Sequence, residues 1–234
     1  MKQLYMMMLG MLVVIGSFAQ NLQLKFIPLA GNTSLVLDDS IYQTKAGEPI
    51  TVRKFLFYVS HIQVKDVHGK TIPVKNNYYL FSASDTATWN IALPIQPQML
   101  SAVSFTIGVD SIKNVSGIQT GALDPMLGMF WTWNTGYIFA KLEGNSTASP
   151  LPQQTFSYHV GGYKHNENAA RTIYIPINSS HKVTTITIGA NVLSWFNGVN
   201  ALSIKAHPLC HSPGKLAMQI ADNYSNMFQL LKVQ

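Results

Sequence analysis

Apolar and polar residues alternate with a period of two over many short stretches of this chain, the spacing of strands with one face in a core. LQLKFIPL does so near the start. ITVRKFLFYVSHIQVKDV continues the pattern as one long segment or two, followed by a turn at His68-Gly69-Lys70 and then TIPVKNNYYLF. AVSFTIGVD, TGYIFAKLEG, QTFSYHVGG, RTIYIPIN and KVTTITIGANV repeat it. The fold class predicted is all-β, an antiparallel β-sandwich. Clusters of Pro, Gly and Asn, such as IALPIQPQ and EGNSTASPLPQQ, read as turns and loops rather than domain linkers. SPGKLAMQIADNYSNMF departs from the pattern: Leu216, Ile220 and Met227, with Ala217, Ala221 and Tyr224, fall near helical spacing. Ser212-Pro213 supplies an N-cap and a first-turn proline, so a short C-terminal helix is expected to close one end of the sandwich.

The first residues follow a different rule. Lys2, an apolar run from Leu4 to Ile15, and Ser17-Phe18-Ala19 as a small-x-small site have the layout of a secretory signal peptide over residues 1–19. The run is too short for a membrane span, and no later stretch is long and apolar enough. The remaining 20–234 is expected to be one exported domain, periplasmic or secreted. No Cys near the cleavage site offers a lipid acceptor.

Composition narrows the chemistry. Removing Lys2 lowers the formal net charge from +6 to +5. Lysines are scattered, so the basic balance does not form a nucleic-acid footprint. Cys210 is the single cysteine and excludes an internal disulfide. With ten acidic residues and no nucleophile elbow, phosphate loop, paired carboxylates or CxxCH haem motif, the expected role is non-enzymatic.

Two groups of residues stand out. His207, Cys210 and His211 in AHPLCHSPG are the local cluster of soft and borderline metal donors. The competing reading is an exposed loop with two histidines beside a buried Cys. His159 lies in TFSYHVGG on the face shared with Ser157, opposite Phe156 and Tyr158, where a lone His is more often structural. In GMFWTWNTGYIFAKLEG, an extended Phe130–Asn134 would place Trp131 and Trp133 on one face. The pair is then a core ridge, a stacking platform for a glycan or protein partner, or a redox-active site.

FLFYVSHIQV, FTIGVD with KNVSG, GALDPMLGMFWTWNTGYIFAKLEG and FSYHVGG, in that order over residues 50–162, resemble the MbnP-like family of exported copper-binding proteins, related to CorA and MopE. The resemblance implies a periplasmic or secreted β-sandwich that binds copper. It also implies that a tryptophan, here Trp131 or Trp133, is converted to kynurenine by a MauG/MbnH-type dihaem peroxidase partner. Kynurenine carries an aromatic amine, a donor that Trp lacks. His159 matches the family's HxG histidine, and His207 and His211 are further metal-ligand candidates. Where copper-binding members carry a His within or beside the Trp segment, this chain has Phe130 and Thr132.

Overall fold

The computed structural model describes residues 21–75, 78–133 and 136–234. Residues 1–19, where a signal peptide is expected, lie outside them, as do Gln20, Asn76, Asn77, Asn134 and Thr135. In chain order the elements begin with β1 (Leu22–Ala30), β2 (Thr33–Ser34), β3 (Tyr42–Gln43), β4 (Pro49–Asp66), β5 (Thr71–Pro73) and β6 (Tyr79–Ser82). Next come β7 (Asn90–Leu93), β8 (Leu100–Ile107), α1 (Ser111–Val115), β9 (Phe130–Trp131), β10 (Gly136–Asn145) and β11 (Thr155–Gly161). β12 (Arg171–Pro176), β13 (Thr185–Asn191), β14 (Leu209–Cys210), α2 (Lys215–Tyr224) and β15 (Phe228–Val233) complete the set.

Two sheets form the expected sandwich. One has the order β15-β13-β1-β2, with β7 also on β1; the other runs β12-β8-β4-β10-β11-β14, with shorter strands attached to β4 and β10. Their facing sides meet around Phe26 of β1, whose ring lies edge-on to Phe57 of β4 at 5.7 Å and Phe105 of β8 at 5.4 Å. Edge-to-face contacts of this kind add to the area buried by each ring. Most pairings are antiparallel, but β1 runs parallel to β13 and β11 parallel to β14. Alternation along one strand is the same in either sense, so the parallel pairs carry no mark in the pattern.

β10 is the exception to half-burial. Nearly all of Gly136–Asn145 is buried; β4 and β11 flank it within the sheet and β9 pairs with its first residues.

The helix is shorter than its pattern. Ala217, Ile220, Ala221 and Tyr224 form the buried stripe, but the helix begins after Gly214, which makes no side-chain cap, and not at Ser212-Pro213. It ends at Tyr224, and the chain returns to the first sheet as β15 against β13.

Candidate functional site

The outer face of the second sheet collects the polar residues of β10, β11 and β14. Period-two alternation turns Phe156, Tyr158 and Val160 into the core and leaves Ser157 and His159 on the opposite face. The same rule in β10 puts Lys141 and Glu143 on that face, opposite Leu142. Antiparallel register then sets Lys141 beside His159 and Glu143 beside Ser157. Parallel pairing of Ser157 with Leu209 and Tyr158 with Cys210 carries His211 to the neighbourhood of His159.

The result is a stacked imidazole pair. The His159 and His211 rings lie 4.4 Å apart, 21° from parallel. Their Nε2 atoms converge on the Ser157 hydroxyl, at 3.2 Å from His159 and 2.8 Å from His211. Glu143 stands 2.8 Å from His159 Nε2 and 3.1 Å from the Lys54 ammonium. The hydrogen bond from His159, helped by Lys54, outweighs burial and holds the Glu143 carboxyl down at about 2. Burial, then His159, lowers the His211 pKa, favouring the neutral imidazole. Lys141, buried, donates to the Gly128 carbonyl. Its pKa is lowered by burial, against the pull of Glu143.

The other expected ligands separate. His207 is exposed and turned elsewhere; its carbonyl accepts the Tyr158 hydroxyl from the core side. Cys210 is buried in the hydrophobic core, so the AHPLCHSPG cluster does not converge on one point. Burial pushes the Cys210 thiol up to about 11, leaving about one thiolate in a thousand at pH 8. We expect thiol-specific reagents to label native Cys210 far more slowly than the denatured chain; equal rates would contradict its burial. Since the folded pKa lies above the ordinary 9.0, its contribution to stability is full below about pH 9. It is lost as the pH rises towards about 11. His68, His165 and His181 are exposed.

Trp131 and Trp133 do not share a fate. The strand ends at Trp131, which is buried, and Trp133 sits in the following turn, 65% exposed. The shared face expected of an extended segment is therefore absent, as is a two-ring platform. The indoles nonetheless stay in contact, with centroids 6.0 Å apart. The Trp131 ring packs over Gly161, two residues along β11 from His159. Its N–H is buried without a hydrogen-bond partner among the described residues.

Two imidazoles beside a carboxylate are a borderline donor set that suits copper or zinc. Among the described residues no group of three or more His, Cys, Asp or Glu is placed to hold an ion, and Glu143 is already engaged. The face therefore offers a metal ion two imidazoles rather than a closed cage. Sequence reasoning missed Lys54, Lys141 and Glu143, although the alternation in YIFAKLEG places the last two on one side.

A solved structure, MbnP from Methylosinus trichosporium, is similar in fold. It has a TM-score of 0.59 and 13% identity over 84% of this chain and 83% of that one. No curated protein matches the chain. A model of the MbnP family matches residues 19–212, a range that holds both sheets' principal strands, the Trp segment and both stacked histidines, and the chain belongs to that family.

Proposed function

We propose that this is an exported, non-enzymatic copper-binding protein whose anchor is His159 with His211. The observation that carries this reading is the convergence of both Nε2 atoms on the Ser157 hydroxyl. Copper binds such nitrogens when they are unprotonated, so binding at His159 releases the proton that its Nε2 donates to Glu143. Before copper binds, Ser157 and Glu143 hold these rings through the same Nε2 atoms, and the metal takes their place there. With Cys210 in the core, the donors are nitrogen and oxygen.

The tryptophans complete the proposal. Trp133 is the ring that a surface-bound dihaem peroxidase reaches, and Trp131, in contact with it, lies on the face of His159. Peroxide at the partner's haems would oxidise Trp131 or Trp133, cleaving the indole C2–C3 bond to N-formylkynurenine with the peroxide reduced to water; hydrolysis then releases C2 as formate and leaves kynurenine, whose aromatic amine is a further donor beside the two imidazoles.

The test is intact mass and metal analysis of protein from its native exported compartment, beside protein made without a partner. Copper near one per chain is expected, with a mass gain of about 4 Da on one of the two tryptophans only in native material. His159→Ala and His211→Ala should each weaken copper binding by about tenfold or more, while His207→Ala leaves it unchanged. Unaltered affinity in His159→Ala would sink the anchor, and identical unmodified masses in both preparations would sink the tryptophan conversion.

A further inference from the structure

A second polar cluster lies away from the imidazole anchor, where β4 meets β8. The register between them shifts between Ser60 and Gln63. At this irregularity His61 adopts a left-handed backbone, with φ of 49°. A non-glycine residue there is sparsely populated, and such positions gather at sites of function. The shift aims the His61 ring into a cleft of about 370 Å³ lined by Thr106, Asp110, Tyr163, Asn168 and Ala170.

The hydrogen-bond network assigns the protons. Ser60 is buried, and its hydroxyl donates to the Gly108 carbonyl at 2.8 Å. Its second oxygen contact at 3.4 Å is another carbonyl, that of Thr106. The single hydroxyl hydrogen is thus committed to a carbonyl, so Ser60 Oγ accepts from His61 Nδ1 at 3.0 Å. In the neutral ring, Nε2 is then a bare lone pair. It faces Asp110 Oδ2 at 3.8 Å.

With the His61 ring neutral, two acceptors face each other across a gap into which no described residue places a donor. Asp110 is held as a carboxylate: the Tyr78 hydroxyl and the Lys113 N–H both donate to it, and against the effect of burial its pKa is lowered by these bonds and by the charge of His61 when that ring is protonated. Among the described residues no Lys or Arg forms an ion pair with it. Lys113 directs its ammonium to Gln119 instead. The Tyr78 ring stands edge-on to His61 at 6.3 Å, and Tyr163 lines the cleft.

We infer that this cleft binds a small organic ligand through a protonated primary amine, which donates one N–H to His61 Nε2 and another to Asp110 Oδ2. Three facts select that chemistry. With His61 neutral, the gap takes a donor with at least two hydrogens, the carboxylate has no cation beside it, and the Tyr163 ring on the cleft wall suits an organic cation. The volume suits a small molecule rather than a bare ion.

The test uses butylammonium on the whole exported chain in metal-free buffer, followed by nuclear magnetic resonance of 15N-labelled histidine. Butyltrimethylammonium, 1-butanol and Zn²⁺ serve as comparisons. Butylammonium should bind saturably in about the millimolar range and move the His61 Nε2 resonance. Asp110→Asn should weaken this at least about tenfold, while its amide oxygen still caps Lys113. His61→Asn, which tolerates the left-handed backbone, should also weaken binding with the fold intact. The inference is overturned by equal binding of butyltrimethylammonium, which has no N–H. A His61 response to Zn²⁺ alone would overturn it in favour of a metal site, and the absence of any saturable shift would mean that the ring's own proton or water closes the gap.

Discussion

Gly161→Ala is expected to lower stability by about 3 kcal/mol or more, with a fall in melting temperature of about 6–12 °C. A Cβ at this position would stand 2.4 Å from the Tyr137 carbonyl oxygen and 2.9 Å from the Trp131 ring. Neither neighbour can yield cheaply. The carbonyl belongs to β10, the central strand, and the indole is wedged in the hydrophobic core. The same substitution should shift the emission of Trp131 and weaken copper binding, because the displaced strand carries His159. In a Trp131→Ala background the loss should shrink but persist, since the contact with the carbonyl remains. A Gly161→Ala protein melting within about 2 °C of the parent would contradict this close approach.

Asn223→Ala should cost about 3 kcal/mol or more for a different reason. Asn223 is wholly buried in α2 and answers three backbone groups outside the helix. Its amide donates to the carbonyls of Trp195 at 2.8 Å and Asn200 at 2.9 Å, and its oxygen accepts the Asn200 N–H at 2.8 Å. Truncation leaves all three unpaired beside a core ring, that of Trp195. Asn223→Asp, although nearly the same shape, should do no better, because an oxygen would replace the nitrogen that faces two carbonyls. Denaturant unfolding measures both. A loss below about 0.5 kcal/mol in the alanine protein, the scale of an unremarkable surface change, would show that water replaces the amide.

These two positions differ in how far they could be read beforehand. Gly161 lies in a segment whose alternation marks it as a strand, yet nothing local says that an indole thirty residues earlier rests on it. Asn223 sits within a helical pattern whose apolar residues draw attention away from the polar one. β15 escaped notice altogether: FQLLKV is mostly exposed, so it lacks the apolar alternation that marks a strand with one face in the core.

The metal-donor candidates show the same division. His207, Cys210 and His211 are neighbours in sequence, which suggested one cluster. The two-residue strand Leu209–Cys210 directs Cys210 inward and His211 outward, and His207 lies before it on another side. The partner of His159 is fixed by the parallel register of β11 and β14, formed by residues about fifty apart in the chain.

What the sequence determined by itself is what a few consecutive residues decide: the half-buried strand segments of the sandwich, though not β15, the helical stripe of α2, and the face that His159 shares with Ser157. These follow from the side-chain period of the backbone, which needs no partner to be defined. The tertiary structure alone decided that His211 and not His207 meets His159, that Lys141 is buried beneath the Trp segment, and that Trp131 is enclosed while Trp133 faces solvent. Each depends on which strands pair and in what register, a choice made by packing between residues distant in sequence.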